Sequence, residues 1–458
     1  MRAWRIARDL RAAAGPALCA TLFACADYAP QPLPGGVAWN DQARLRTDAR
    51  QIALPALASQ HVDLDAPLTL QGVAALAVLN DPRLQAVRDR AGVARAQAFA
   101  AGLLPDPSFS ASREFAQGNP SGATSAAYKL GLQFDLGSLI TRAAAESAAR
   151  ARLEQVDLQI LWQEWQTAAA AEADYVTLVG LRERDALLHE QLGASRERLQ
   201  RDRAAQAAGI ETRSAPDADL VEVQALQGLL ADDARKSSSA LASLDALLGL
   251  RPGTALQLAG QPRLDPAAVL AAANAVDRLG AIRPDLRALR AGYASQEQKL
   301  RKAVLAQFPS VGIGLSRARD TSDVNTVGFG IHFNLPLLDG SRGAIAVQTA
   351  TREQLHNEYV LRLRQARADV EQLLDDIRLL QRQRQALHSA LPPLQAAAQA
   401  ADGSLRRGDM TLLRAQAQRR AWLDQRMALQ INAQQLAQQT VALQLLTGSG
   451  VFEPAIRH

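Results

Sequence analysis

A stretch of strictly alternating residues that ends in a turn and opens a very long helical pattern constrains this chain more than any other feature. In residues 327–335, VGFGIHFNL, every second residue is apolar and those between are glycine or polar, which is the period-two pattern of a β-strand. Pro336 cannot continue a hydrogen-bonded ladder, and Asp339, Gly340 and Ser341 supply a turn and a candidate helix cap. The sequence therefore predicts a strand that leads directly into a helix.

The same arrangement occurs a second time, which makes the chain an internal duplication. Residues 128–138, YKLGLQFDLGS, alternate in the same way, 199 positions before their counterparts. Pro82 corresponds to Pro284 at an offset of 202, and Gly209 corresponds to Gly408 at an offset of 199. The difference falls in the loop predicted between the last two strands, where a change of length costs little. Coincidental similarity of alanine-rich helices is the alternative, but it does not explain why prolines, glycines and strands match in the same order.

Long helices account for most of the remaining sequence. Helical periodicity continues from Gly137 to about Ala208, and about seventy helical residues span roughly 105 Å. Alanine, leucine, glutamine and arginine dominate, while aromatic residues make up only 4%, which favours narrow contacts between coiled helices over a bulky globular core. The first break is at residues 209–216, after which helix resumes as far as Gly249. We therefore predict a helical hairpin whose turn lies far from the strands.

Four predicted strands each have one apolar face and one face of small or polar residues, the alternation of a barrel wall with lipid outside and water inside. A half-buried sheet of a soluble domain is the alternative. The residues predicted to face the lumen are Lys129, Gln133, Asp135, His332 and Asn334. Four strands cannot enclose a lumen, and an open sheet edge in lipid is prohibitive, so the barrel has to be shared between chains. Two chains would leave little room for a channel, and we therefore predict a homotrimer.

The N-terminus has the pattern of an export signal. Basic residues precede a largely apolar run from Ala12 to Ala24, and residues 22–25, LFAC, resemble the lipobox of bacterial lipoproteins, whose cysteine is acylated and becomes the first mature residue. A short amphipathic helix on a soluble protein is the alternative. Because Cys19 lies inside the predicted signal, the mature chain would retain only Cys25, and no internal disulfide is predicted.

Charge and motif content argue against several classes of function. The formal charge of +5 is modest and part of it lies in the predicted signal, so no nucleic-acid partner is predicted. The glycines at 312–314 and 328–330 lie inside strand patterns, which argues against a phosphate loop. The six histidines are scattered, so we predict neither a metal site nor a cofactor. No nucleophile has a recognisable base or glycine elbow, and the chain is not predicted to be an enzyme.

With these features combined, the chain resembles the TolC-like family of outer-membrane efflux channels. The matching segments are LTLQGVAALAVLNDPRL at residues 68–84, FNLPLLDGSR at 333–342, RRGDMTLLRAQ at 406–416 and ALQLLTG at 442–448. The resemblance implies a mainly α fold with a small transmembrane β part, in which each strand hairpin is followed by a long coiled helical hairpin. It also implies a trimer that forms a 12-stranded β-barrel and an α-helical periplasmic barrel.

The same resemblance implies the function and the partners. A lipid-anchored duct in the outer membrane of a Gram-negative bacterium would extend into the periplasm and contact a periplasmic adaptor. The adaptor would connect the duct to an inner-membrane pump. Small molecules or ions would pass through it passively. A periplasmic coiled-coil adaptor or structural lipoprotein without a pore is the alternative, but such adaptors carry one helical hairpin flanked by β-rich modules. Two hairpins with only four strands favour the duct.

The resemblance places the two helical turns at the periplasmic end of the duct. Adaptor contact is expected at Gly209, Arg213, Arg407, Gly408 and Arg414, although simple hairpin turns would use the same residue types. The candidate periplasmic gate consists of Asp217, Asp219 and Asp409. Threefold repetition of these carboxylates would form a ring that favours cations, whereas solvated helix ends are the alternative.

The sequence divides into six predicted segments. They are a signal peptide (1–24), a lipidated N-terminal arm (25–67), a first repeat (68–250), a linker or equatorial segment (251–280), a second repeat (281–449) and a C-terminal tail (450–458). Within the repeats, the β-hairpins are predicted at about 107–136 and 309–336, and the helical hairpins at about 138–249 and 341–448.

Overall fold

A computed structural model describes most of the chain after the predicted signal. The described residues are 28–36, 39–52, 54–60, 62–115, 125–210, 212–262, 266–336 and 338–448. The predicted signal peptide, Cys25 and the predicted tail lie outside them. The chain divides into two compact units, of which the first ends at Trp39. In that unit residues 28–36 are exposed and contain neither helix nor strand.

Four strands form one antiparallel sheet in chain order. They are β1 (Ser108–Glu114), β2 (Ala127–Asp135), β3 (Ser310–Arg319) and β4 (Asn325–Asn334). The register aligns residues of the same kind across the sheet, so that Phe109, Leu132, Leu315 and Phe329 form one continuous row. Because β2 pairs with β3, the two repeats share a single sheet.

Eight helices of at least ten residues occur in the described part of the chain. They are α1 (Leu70–Asn80), α2 (Pro82–Gly102), α3 (Gly137–Ala207), α4 (Ser214–Leu248), α5 (Pro266–Ala275), α6 (Pro284–Leu305), α7 (Arg342–Arg407) and α8 (Leu412–Thr447). The longest, α3 and α7, have 71 and 66 residues and start just beyond β2 and β4. Among the described helices, none is both long and apolar enough to cross a membrane. The predicted mainly α fold with a small sheet is confirmed.

The long helices lie side by side in a layer that continues the order of the strands. Near the sheet, α3 packs between α2 and α6, and α7 packs on the other side of α6. Near the helical turns, α3 packs between α4 and α8, and α7 packs on the other side of α8. Consequently α7 forms one edge of the protomer along its whole length, while α2 and α4 together form the opposite edge.

The main core lies where α1, α3 and α4 meet. All residues of α1 from Val73 to Val78 are fully buried, and they pack with Trp165 and Tyr175 of α3. The Tyr175 hydroxyl donates to the carbonyl oxygens of Ala259 and Gly260, each at 3.0 Å. The segment predicted as a linker, which also contains α5, is therefore held against α3.

The two residues that flank a proline form an ion pair at the start of both α2 and α6. The acidic and the basic residue exchange places between the repeats. In the first repeat the buried Asp81 carboxylate accepts from the backbone N–H of Arg83 at 2.9 Å and from its Nε at 3.3 Å. In the second repeat it is the arginine that is buried: Arg283 is 1% exposed and donates to both carboxylate oxygens of Asp285, at 2.8 and 3.0 Å. The duplicated position thus keeps the pair and exchanges its charges.

The reversed pair has additional contacts in the second repeat. The Arg283 guanidinium stacks over the Trp162 ring of α3, 4.9 Å from its centroid, and Arg362 of α7 donates to Asp285 at 3.0 Å. Burial alone would raise the pKa of Asp285, but Arg283 and Arg362 together lower it. One ion pair therefore ties three helices together, and Asp285 stays charged.

Glu172 of α3 generates a prediction about pH dependence. Its side chain is 0% exposed, neither carboxylate oxygen has a hydrogen-bond partner in the described part of the chain, and burial raises its pKa from 4.5 to about 8. The folded state thus holds a proton that the unfolded state loses above pH 4.5. We expect stability to fall between about pH 4.5 and pH 8, and Glu172→Gln to remove that part of the pH dependence.

Urea unfolding at a series of pH values measures this effect. Glu172→Gln should be more stable than the wild type at pH 8, by on the order of several kcal/mol, and the difference should vanish near pH 4. The exposed Glu154 lies on the same helix. Its variant Glu154→Gln serves as the control and should follow the wild-type profile. A constant difference between Glu172→Gln and the wild type from pH 4 to pH 8 would contradict the assignment.

Candidate functional site

One face of the sheet carries all five residues predicted to face a lumen. In antiparallel pairs, directly opposed residues point to the same side. Lys129 is opposite Ser112 and Ala318, and Gln133 is opposite Ser108 and Gly314. Asp135 and His332 are both opposite Gly312, and Asn334 is opposite Ser310. This face therefore consists mainly of Ser, Gly, Gln, Lys, Asp, His and Asn residues, and we call it the polar face.

The opposite face of the sheet is apolar, and in the protomer it is uncovered. Phe329 is 66% exposed and Val327 is 83% exposed, although both lie within the regular strand β4. The other exposed members of this apolar face are Phe109, Leu130, Leu132, Leu315, Ile331 and Phe333. A contiguous apolar surface of this kind indicates contact with lipid or another protein.

Glycines on the polar face make room for its larger side chains. A Cβ atom at Gly312 would lie 2.0 Å from the His332 ring, and one at Gly131 would lie 2.6 Å from Ser110 Oγ. The imidazole of His332 therefore occupies the space that a side chain at Gly312 would fill. Gly330 differs, because nothing lies within 4 Å of its Cβ position.

The two connections from strand to helix have different structures. After β2, the Asp135 carboxylate accepts from the backbone N–H of Gly137 at 2.9 Å, and α3 begins at once. After β4, the chain makes a longer turn in which Gly340 and Ser341 both have positive φ. Ser341 precedes α7 as predicted, but its side chain does not cap the helix. Because φ is +56°, the hydroxyl points away from the helix and donates to the Ala306 carbonyl oxygen at 3.1 Å.

The two helical tips are exposed glycine turns. Gly209 and Gly408 have φ values of +73° and +77°, a conformation in which glycine is favoured, and each follows the C-terminus of a long helix. The five residues predicted for adaptor contact, Gly209, Arg213, Arg407, Gly408 and Arg414, are all exposed in the protomer. Arg407 donates to Asp409 at 2.9 Å, so part of the charge at the second tip is paired.

The three predicted gate carboxylates lie in different environments. Asp217 is exposed in the first turn of α4, where the helix dipole favours an acidic residue, and Asp409 is exposed in the second tip. Asp219 is only 8% exposed and accepts from Arg198 Nε of α3 at 2.6 Å. The structure therefore places Asp219 in an ion pair between α3 and α4, whereas the other two carboxylates remain accessible.

An ion-pair network next to Asp219 joins the two helical hairpins. Arg198 also pairs with Glu222 of α4, and Glu222 accepts from Arg420 of α8 at 3.1 Å. These residues line a groove of about 510 Å³ between α3, α4 and α8. The sequence alone does not reveal this network, because its members lie on three helices and their common location depends on how the hairpins pack.

Further polar contacts continue the connection toward the sheet. Gln191 Nε2 of α3 donates to Asp424 Oδ1 of α8 at 3.0 Å, and Arg426 Nη1 of α8 donates to Glu190 at 2.8 Å. We call this set of polar contacts, together with the Arg198, Asp219, Glu222 and Arg420 pairs, the hairpin clamp. Among the described residues, no group of three or more His, Cys, Asp or Glu side chains is arranged to hold a metal ion.

Comparison with known proteins identifies a shared domain and fold. Residues 275–449 match the family model described as outer membrane efflux protein, and this span includes the second repeat from α6 to α8. No protein of curated function is significantly similar in sequence. A membrane protein from Pseudomonas aeruginosa is similar in structure with a TM-score of 0.69 and 19% identity, over 95% of this chain and 100% of that one.

Two outer-membrane proteins have the same fold. The outer membrane protein VceC of Vibrio cholerae matches with a TM-score of 0.67 and 18% identity, over 83% of this chain and 96% of its own. The CmeC outer membrane channel of Campylobacter jejuni matches with a TM-score of 0.66 and 16% identity, over 93% of this chain and 95% of its own. The TolC-like fold predicted from the sequence is confirmed.

The close packing of Gly312 against His332 leads to a prediction. Gly312→Val should push the His332 ring off the neighbouring strand and lower the stability of the sheet by about 1–3 kcal/mol, the usual cost of overpacking. The additional substitution His332→Ala should restore most of the loss, because it removes the obstructing ring. Urea unfolding of detergent-solubilised protein measures both effects. Gly330→Val, at an open position of the same face, is the control, and equal losses at both glycines would contradict the packing argument.

Proposed function

We infer that this chain, which has the TolC-like fold and carries the outer membrane efflux protein domain, is one protomer of an exit duct in the outer membrane. The observation that carries this inference is an uncovered apolar sheet face, joined to a polar face and to two unpaired strand edges. Lipid is the environment that favours such an apolar face, and an aqueous lumen is the environment that favours the polar one.

The open edges of the protomer determine how the duct closes. In the part of the chain that the structure describes, β1 and β4 each lack a neighbour on one side, and unpaired strand edges are not tolerated in the hydrocarbon region. The β4 edge of one copy can pair with the β1 edge of the next, and repetition by rotation closes a ring. Three copies complete a 12-stranded barrel, so a homotrimer is the proposed assembly.

The helices have edges that match this arrangement. Below β4 lies α7, whose residues 381–386 are all exposed and whose Leu361 and Leu379 also face outward. Below β1 lies α2, with exposed Val93 and Phe99. Rotation that pairs β4 with β1 also brings α7 next to α2 and α4 of the neighbouring copy. The helices therefore continue the barrel as an α-helical cylinder in the periplasm, at a length of roughly 100 Å.

The ends of the cylinder would have separate roles. Gly209, Arg213, Arg407, Gly408 and Arg414 are proposed to contact a periplasmic adaptor, since they are exposed and lie at or next to the turns that follow the ends of α3 and α7 remote from the strands. Asp217 and Asp409 are proposed to contribute to a carboxylate ring at the constriction, whereas Asp219 is proposed to act through the hairpin clamp. The adaptor in turn connects to an inner-membrane pump, and small molecules or ions pass through passively.

Anchoring of the N-terminus is proposed from the sequence alone. Cleavage of the signal before Cys25 and acylation of its thiol would tether the N-terminal arm to the inner leaflet of the outer membrane.

The residues proposed to line the barrel, in three copies each, are Lys129, Gln133, Asp135, His332 and Asn334. The transported substrate is not specified by these residues.

Bilayer insertion tests the proposed duct. We expect protein extracted with detergent to have the mass of a trimer and to form ion-conducting pores in planar bilayers. Phe329→Lys should abolish or strongly reduce pore formation, because a lysine on the lipid-facing side costs about 2–4 kcal/mol near the bilayer centre. Gly330→Lys, one residue away on the polar face, is the matched control and should still insert. A monomer that is soluble without detergent and unacylated at Cys25 would support the adaptor alternative.

The hairpin clamp leads to a prediction about opening. Glu222→Gln weakens the ion pairs with both Arg198 and Arg420. Because these groups are only partly exposed, each pair contributes about 1 kcal/mol, which is more than a fully exposed pair does. We expect the periplasmic end to open more readily and the single-channel conductance in planar bilayers to increase. Asp232→Asn is the control, since within the described residues Asp232 pairs only with Arg235 of its own helix. Unchanged conductance of a trimeric Glu222→Gln variant would show that the clamp does not restrict the channel.

A further inference from the structure

The apolar face of the sheet ends in a group of arginines at its hairpin end. Arg113, Tyr128, Arg319 and Asn325 form one row across the four strands, and Arg317 lies one row closer to the helices, between Leu130 and Val327. All of these residues point to the same side as the apolar face. Below them the rows contain only apolar side chains, so the change from apolar to basic is abrupt.

Two of the three arginines lack an acidic partner. Arg113 lies over the Phe115 ring, 5.1 Å from its centroid, and Arg317 is exposed. In the described part of the chain, no carboxylate lies within ion-pair distance of either one. The sequence between Phe115 and Ala127 contains no charged residue, so the neighbouring loop offers no partner. Arg319 pairs with Asp323, which among the described residues is the only carboxylate paired with the group.

The other acidic residues nearby are otherwise placed. Asp320 uses its carboxylate to accept from the backbone N–H groups of Ser322 and Val324, both at 2.9 Å. Glu114 is opposite Ala127, on the polar side of the sheet. The group of three arginines therefore keeps a net positive charge on a surface that is otherwise apolar. An arrangement of this kind favours an anionic partner that approaches from the lipid side.

The position of the arginines matches the depth of lipid headgroups. From Val327 in β4 to Leu335, the residue directly after it, the apolar positions cover eight residue steps, which is about 27 Å of extended chain. A tilt of about 35–45° reduces this to roughly 20 Å across the membrane, close to the apolar band of about 25 Å in outer-membrane barrels. Tyr128 lies between Arg113 and Arg319 and donates to Asn325 Oδ1 at 3.3 Å, as expected of an aromatic side chain in the interface.

Resting on the proposed function, which puts the strand hairpins at the outer surface, we propose that Arg113, Arg317 and Arg319 bind the phosphate groups of a phosphorylated lipid headgroup in the outer leaflet. Guanidinium groups bind phosphate bidentately, which makes arginine well suited to this contact. Adjacent strands are about 4.8 Å apart, so Arg113 and Arg319, two strands apart, are separated by about 10 Å at the backbone. A headgroup carrying two phosphates can therefore contact both, while its acyl chains lie on the apolar rows below.

Lipid binding to purified trimer tests the site. The probe is diphosphorylated lipid A, titrated into the detergent-solubilised wild-type trimer and followed by native mass spectrometry, with phosphatidylcholine as the phosphodiester comparison. The test variant is R113Q/R317Q, which removes the two unpaired guanidinium groups. The control variant is R196Q/R203Q, which removes two exposed arginines of α3 remote from the sheet. Pore formation in planar bilayers is recorded for every variant.

The expected result is tighter binding of lipid A than of phosphatidylcholine, weakened about 30-fold in R113Q/R317Q, since each arginine near a membrane surface contributes about fivefold. The control variant should bind as the wild type does. Equal affinity of R113Q/R317Q and the wild type would overturn the proposal, as would displacement of the lipid by millimolar inorganic phosphate, which would indicate a site for free anions. Wild-type protein that forms no trimer and no pore would instead contradict the proposed function.

Discussion

Backbone hydrogen bonding at the two free edges of the sheet is the constraint on which the rest of the structure depends. In water an unpaired strand can bond to solvent, but the apolar face of this sheet is suited to lipid, where no such bonds are available. In the proposed duct, other copies of the same chain pair these edges. Because the strands and the helices follow the same lateral order, that pairing would also align α7 with the next copy's α2 and α4, and the closed sheet would determine the closed helical layer.

Duplication of the repeats gives the protomer a near symmetry that the packing then breaks. Asp81 and Arg283 occupy corresponding positions before a proline, yet one is a buried acid and the other a buried base. Each forms an ion pair with the residue two positions later, and both pairs reach α3, through Thr167 in the first repeat and Trp162 in the second. In the described part of the chain, only the Arg283 pair also reaches α7, through Arg362. In the second repeat, Arg362 therefore holds α7, the helix at the edge of the layer, in place. The first repeat has no equivalent contact among the described residues.

Much of the fold was predictable because its strongest signals are periodic and occur twice. Alternation placed His332 and Lys129 on the same face, and the register confirms that placement without any information from packing. Contacts between helices were not predictable in this way. Asp219 resembled its exposed neighbour Asp217 in sequence, and only the approach of Arg198 from another helix distinguishes the two. The orientation of Ser341 likewise depends on a positive φ, which a turn sequence permits but does not require.

The contacts between the helices also differ in kind at the two ends of the helical layer. Near the sheet, α3 contacts α2 and α6 through small buried residues such as Ala91 and Ala288, and such apolar contacts do not weaken with salt. Near the turns, α8 is held to the first hairpin partly by the clamp, whose Arg420 is largely exposed. Exposed ion pairs contribute little in solution and are screened by ions. The buried leucines of α3, together with Met427 of α8, hold the same region through apolar contacts. The hairpin clamp is therefore the part of this contact that salt weakens.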